Sequence, residues 1–307
     1  MERGDHEQPT EIESKPSFRY KFFFVQHDYA TEKKRAKLVR LVEEADIVAL
    51  ELIGHTPEIE ENLQRVSNGE LEPTISLVFP GDRPRSREYF TLLLEAIYNK
   101  KKIIILPDVA KSSTEEENFM AEWQLYSELF EEGFFAFSHG NIPRAFQRLK
   151  ESLSSFTRAL RIRDEHMGKE IRAKSKGVKK DKGVYRVLTI IGSEHTGIYE
   201  AYKTKEEGGS VSREFIGGIH LHSYFSEAAR VLVKRGDVPD RLLGLVFLSE
   251  LLKNGLPKLN DEQLEERAIS KLLLNVSMED IQRFSNLLTT GSTVGSAFES
   301  IGIKIPS

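Results

Sequence analysis

Four short runs of nearly consecutive apolar residues stand out along the chain, at residues 20–26, 46–52, 102–108 and 185–191. A continuous run, rather than an alternating one, is the pattern of a strand covered on both faces. Between them, apolar positions recur at spacings of three and four over residues 31–45, 57–66, 86–99 and 114–131, which predicts amphipathic helices. Strands and helices in alternation imply an α/β fold, a mostly parallel sheet flanked by helices with right-handed crossovers. Residues 77–79 add a candidate short strand. One long helix is expected from Asn141 to about Lys174. Asn141 can cap it, Pro143 suits its first turn, and Phe146, Leu149, Leu153, Phe156, Leu160, Met167 and Ile171 trace a single buried stripe.

Beyond residue 205 the pattern changes. Residues 203–212 are polar and include Gly208-Gly209, and four more helices are predicted over 222–235, 240–254, 261–275 and 277–290. The expected organisation is a disordered, Glu-rich leader (1–18), an α/β domain (19–205) and an all-helical C-terminal module (206–307). That module is either a subdomain packed on the sheet or a unit for a protein partner or self-association. The leader lacks the basic and apolar segments of a secretory signal, and no apolar run approaches a membrane span, so a cytoplasmic location is expected.

Composition narrows the chemistry. With 307 residues a sizeable core can form without staples. The absence of cysteine removes disulfides, Cys-ligated zinc, iron–sulfur clusters and a thiol nucleophile. A net charge of −4 gives no global reason to expect a polyanion partner. Locally, residues 158–186 hold eleven basic and four acidic residues. Tyr185 is the one aromatic there, so a stacking platform is missing. A solvated helix face is the favoured reading, and nucleic acid is not expected as a partner.

No phosphate-binding loop, dinucleotide fingerprint, zincin helix or esterase elbow is present. Polar residues instead close each predicted strand: His27 and Asp28, Glu51, Asp108, and then Gly192-Ser193-Glu194-His195. Open parallel sheets bind ligands outside the carboxyl ends of their strands, so these residues are aimed at one edge. Glu51 ends a buried strand and needs a partner; it suits a metal ligand, a general base or the orienter of a histidine. His195 can ligate a metal or act as a base near neutral pH. Arg163 falls on the apolar stripe of the long helix and must reach a carboxylate such as Glu51, or a bound anion, with Asp164 beside it near the same stripe. A purely structural Arg163–Asp164 pair is an equal alternative. Asp108, after Pro107, reads more as a turn or cap residue than a catalytic one. His220 and His222 suit a surface or capping role better than a metal pair, His55 reads as a loop residue, and His139 belongs to the turn that starts the long helix.

The order of Phe22–His27, the strand ending in Glu51-Leu52, Arg163-Asp164-Glu165-His166-Met167 and the Val187–Gly197 segment resembles the TraB/PrgY and Tiki group, with its erythromycin-esterase and ChaN-like relatives. That group pairs two Gly-x-x-His motifs with a strand-end Glu and an Arg-Asp/Asn-x-x-Met helix. The second motif, Gly192 to His195 followed by Gly197, is intact; in the first, Phe24 stands where Gly belongs. The resemblance covers roughly residues 20–205 and implies a shared α/β fold with its site at the strand ends. Tiki-like members look like metal-dependent peptidases, erythromycin esterases open a lactone, and ChaN-like members bind haem. The expectation is a hydrolase of a peptide, ester or amide bond. His27, Glu51 and His195 would hold a divalent transition metal (Mn, Co, Fe or Zn) or activate water directly, and Arg163 would orient Glu51 or stabilise an oxyanion. The competing expectation is a non-enzymatic module that binds a small molecule or peptide at the strand ends and a protein partner through its C-terminal helices.

Overall fold

The computed structural model describes residues 17–25, 32–77, 84–178, 183–192, 194–205, 210–215, 223–255 and 262–304. Five strands form one all-parallel sheet: β1 (Ser17–Val25), β2 (Ile47–Leu50), β3 (Ile103–Ile105), β4 (Val184–Gly192) and β5 (Val211–Phe215), in the order β3-β2-β4-β1-β5. All four residues of β2 are buried, as its continuous apolar run requires. Alternate side chains serve opposite faces. Phe23, Val25, Val48, Leu50, Leu188 and Ile190 meet α1 (Glu32–Glu44), α2 (Pro57–Asn68) and α3 (Pro84–Ile97). Phe22, Phe24, Ile47, Ala49, Val187 and Ile191 meet the last part of α5 (Ile142–Gly177) and α6 (Thr196–Lys205).

The long helix is α5, capped by Asn141, whose side chain accepts from the Arg144 N–H at 3.3 Å. With α4 (Thr114–Ser138) it forms an antiparallel hairpin, shown by the pairs Glu122–Arg158, Tyr126–Ser152 and Glu132–Arg148. The stripe on α5 serves two cores in succession. Phe146, Leu149, Leu153 and Phe156 pack with α4 and the C-terminal helices, while Met167 and Ile171 pack on the sheet. Those helices are α7 (Tyr224–Arg235), α8 (Asp240–Gly255), α9 (Glu262–Leu273), α10 (Met278–Thr289) and α11 (Val294–Ser300). They bury Phe247, Phe284 and Phe298 against Phe137 and the first half of α5, so the C-terminal helices and the hairpin share one hydrophobic core.

Several elements escape the apolar pattern. β5, Val-Ser-Arg-Glu-Phe, is a half-exposed edge strand inside the stretch read as helical; Lys37 holds it by donating to Phe215 O at 3.1 Å. β1 begins at Ser17, two residues before the expected start of the α/β domain. Ile75–Leu77 forms a 3-10 turn, not a strand, and Val78 and Phe79 lie outside the described residues. α6 and α11 are short helices with weak apolar periodicity. Among the described residues no helix is long and apolar enough to cross a membrane.

α8 and α10 touch closely at Gly244, where a Cβ would lie 2.5 Å from Ile281 Cδ1 and 2.7 Å from its Cγ2, with Ile281 fully buried. Gly244→Ala is therefore expected to destabilise the fold by about 1–3 kcal/mol through overpacking. A urea unfolding curve checks this, and an unchanged midpoint would contradict the contact.

Candidate functional site

Arg163 occupies the point on α5 where the stripe passes from one core to the other. It is 8% exposed, and a guanidinium so placed must be paired. Its Nε donates to Asp108 Oδ1 at 3.0 Å and its Nη2 to Asp108 Oδ2, while Nη2 also reaches Glu51 Oε1 at 2.8 Å. The Phe119 ring covers it, 5.3 Å from Cζ to the centroid. Arg163 thus ties α5 to the ends of β2 and β3. Burial alone would lower its pKa, but Asp108 and Glu51 outweigh this and raise it, so the cation persists.

His195 lies just before α6 and just after β4, 3% exposed. Its N–H donates to Gly192 O at 3.1 Å, closing the turn out of the strand. Its Nδ1 stands 2.5 Å from Asp164 Oδ1, and its Nε2 stands 3.2 Å from Glu51 Oε1. The remaining Glu51 oxygen, Oε2, accepts the Gly192 N–H. Two glycines make this possible by close approach. A Cβ on Gly192 would sit 3.1 Å from Glu51 Oε2, and one on Gly197 would sit 2.5 Å from Asp164 Oδ2. The result is one chain of contacts, Asp164–His195–Glu51–Arg163–Asp108.

Its position follows from topology. The connection leaving β2 and the described helix between β1 and β2 pass over the α1–α3 face, while the connection leaving β4 passes over the other face. Strand exits that diverge in this way open a crevice at the carboxyl edge. Burial would keep the His195 imidazole neutral, but the Glu51 charge and the hydrogen bonds the ring donates to Asp164 and Glu51 outweigh burial and the opposing Arg163 charge, lifting its pKa from 6.5 to about 10. On the α3 side, burial first and the Glu51 charge second push the Tyr89 phenol strongly upward, which keeps it protonated.

The structure brings together Glu51, Arg163 and His195 as expected residues, with Asp164. The expected Arg163–Glu51 pair forms, at 2.8 Å, and the alternative Arg163–Asp164 pair does not. Arg163 and Asp164 clamp different members of the chain of contacts. Asp108 is no mere turn residue, although its Oδ1 does accept the Val109 N–H at 2.9 Å. Arg163 has Nε and Nη2 both committed to carboxylates, and so holds Asp108 and Glu51 together. His27, Asp28, His220 and His222 lie outside the described residues. His55 is buried behind the site, its Nε2 3.0 Å from Asp108 O. His139 ends α4, with Nδ1 2.8 Å from Phe135 O. Most of the described cations in 158–186 have local partners, including Arg158 with Glu122, Arg161 with Glu165, Lys174 with Glu60, Arg186 with Asp46 and Arg172 over the Tyr202 ring. Tyr89 and Phe119 are the neighbours that sequence reasoning missed, and neither carried a signal; Asp108 stood at a strand end and was read there as a turn or cap residue.

A divalent ion would need adjacent ligands about 3 Å apart. Glu51 Oε1 and His195 Nε2 meet that separation, and Asp164 on Nδ1 is the outer carboxylate that metal-bound imidazoles commonly have. These two donors fit part of a ligand set; among the described residues no group of three or more His, Asp or Glu is placed to hold an ion. The fold and site define an α/β protein with a buried acid–imidazole cluster at its sheet's carboxyl edge. No family model, curated protein or solved structure matches the chain.

Two outcomes follow from the cluster. Arg163→Met leaves Asp108 and Glu51 buried without their cation, and is expected to cost about 3–5 kcal/mol by urea unfolding; a variant as stable as the parent would show that Arg163 is not the clamp. The raised His195 pKa means that the folded state holds this proton more tightly than the unfolded chain. Its stabilisation is complete below pH 6.5 and declines as pH rises through about 10. Melting temperature should fall across that window in the parent, and the fall should be shallower in His195→Gln; parallel profiles would refute the assignment.

Proposed function

We propose that the chain is a hydrolase acting on a peptide, ester or amide bond at the carboxyl edge of its sheet. The observation that carries this reading is the Glu51–His195 contact, with Asp164 fixing the imidazole from behind. A carboxylate on Nδ1 orients the ring and makes Nε2 the working nitrogen. Glu51, held by Arg163 and the Gly192 N–H, keeps its Oε1 beside that nitrogen. The pair can pass a proton between attacking water and leaving group. Glu51 and His195 would also be the protein's hold on a divalent transition metal, with His27 as the third donor that the motif implies. When bound, such an ion lowers the pKa of water and polarises a carbonyl. Glu51, Arg163, Asp164 and His195 are the residues matched to the TraB/PrgY and Tiki group, and their meeting in one cluster supports that resemblance. A cytoplasmic protein is the setting we propose, in keeping with a sequence free of cysteine.

One observation favours the alternative of a non-enzymatic binding module. The carboxylates and cations of the cluster already satisfy one another inside the chain, as in a structural network.

Metal content after gentle purification, together with hydrolysis of a panel of activated esters and peptides, separates the readings. The hydrolase reading expects Mn, Co, Fe or Zn retained at a stoichiometric level, turnover reduced at least about a hundredfold in Glu51→Gln and His195→Ala, and both variants folded by circular dichroism. A metal-free parent whose His195→Ala variant hydrolyses the panel equally well would reject it.

A further inference from the structure

At the opposite, amino edge of the sheet, β1 and β4 place Arg19 directly beside Arg186. Both side chains line one cavity of about 200 Å³ between the sheet and α1, and Lys21, two residues along β1, lines it too. Three cations on one face are costly, because like charges on paired strand positions repel. The acids nearby offset this only in part. Asp46 holds Arg186 at 3.2 Å. Glu214 is 3.3 Å from Lys21 but is shared with Lys37, which is closer at 2.9 Å. Glu44 lines the cavity, and its described ion pair is with Arg40 at 4.0 Å. Among the described residues no carboxylate lies within ion-pair distance of Arg19.

Other features of the cavity suit an anion. Ser210 and Ser212 border it and bring hydroxyl donors. The end of α1 would repel an anion through its free carbonyls, but Lys102 Nζ already donates to Glu43 O and Ala45 O there, at 3.0 and 2.8 Å. Leu41 and Leu188 give the cavity an apolar floor. Guanidinium forks match the oxygen spacing of a phosphate and bind it in bidentate fashion. The volume suits a phosphate group and little more, since whole-ligand pockets run to about 300–1,000 Å³.

We propose that Arg19, Lys21 and Arg186 form a binding site for the phosphate group of a small phosphomonoester, separate from the Glu51–His195 site. Arg186 and Gly192 are six residues apart on β4, so the two sites are about 20 Å apart, at opposite ends of the strand.

The test is thermal unfolding of the full chain, with inorganic phosphate as the probe and sodium chloride at matched ionic strength as the control, supported by calorimetric titration. Phosphate is expected to raise the melting temperature beyond chloride, with affinity falling at least about tenfold in Arg19→Gln. In phosphate-free buffer Arg19→Gln should be as stable as the parent or more so, because it removes one of the opposed charges; with phosphate present the parent should overtake it. His195→Gln should keep the full phosphate response, which separates this site from the strand-end cluster. The proposal is overturned if phosphate stabilises no more than chloride does. It is equally overturned if Arg19→Gln responds to phosphate as the parent does.

Discussion

Arg163 is a buried cation on a helix that belongs to two cores, and the arrangement of the molecule turns on how its charge is met. Above it, the stripe of α5 faces α4 and the C-terminal helices; below it, the same stripe faces the sheet. A guanidinium at this junction cannot remain unpaired, since an isolated charge in the interior is too costly. It is met by carboxylates from the ends of two neighbouring strands, Glu51 after β2 and Asp108 after β3. That pairing fixes the α4–α5 hairpin on the sheet's carboxyl edge. The described C-terminal helices share their core with the hairpin, so their placement depends on it as well.

The same pairing prepares the site. Glu51 is gripped at both oxygens, by Arg163 and His195 at Oε1 and by the Gly192 N–H at Oε2. A carboxylate gripped in this way has one orientation, and it passes that order to His195, which Asp164 holds from the other side. Asp164 and Arg163 are sequence neighbours on α5 and still serve different ends of the cluster. One helical turn therefore supplies both the anchor for the acid and the anchor for the imidazole. Close approach explains two glycines here: Gly192, which ends β4, and Gly197 in α6 each stand where a Cβ would crowd a carboxylate oxygen.

The resulting cluster is nearly closed to solvent, so its electrostatics are strong. Proximity to Glu51 and Asp164 overrides the cost of burying an imidazolium. Function at such a site depends on how readily this charge balance yields to an incoming group. The amino edge of the same sheet presents the opposite situation, an excess of cations at an open cavity, and a parallel sheet keeps two such environments apart at the two ends of its strands.

Much of this was legible in the chain itself. Continuous apolar runs located β1 to β4, spacings of three and four located most helices, and the parallel α/β class followed from their alternation. Glu51, Arg163 and His195 were visible because each is a polar residue at an apolar place, where burial demands an explanation. β5 was not visible, because an edge strand half open to water needs no apolar run and gains its place from pairing with β1. Glu51 was legible as a partner of Arg163, but its second partner was not, because Asp108 and Arg163 are 55 residues apart and nothing local links them. The sequence by itself determined which residues must be buried and which buried charges must find partners, since burial and desolvation act on each residue where it stands. Only the tertiary structure decided which carboxylate meets which cation, because that choice is made by strand order and helix packing, which bring distant segments within hydrogen-bond reach.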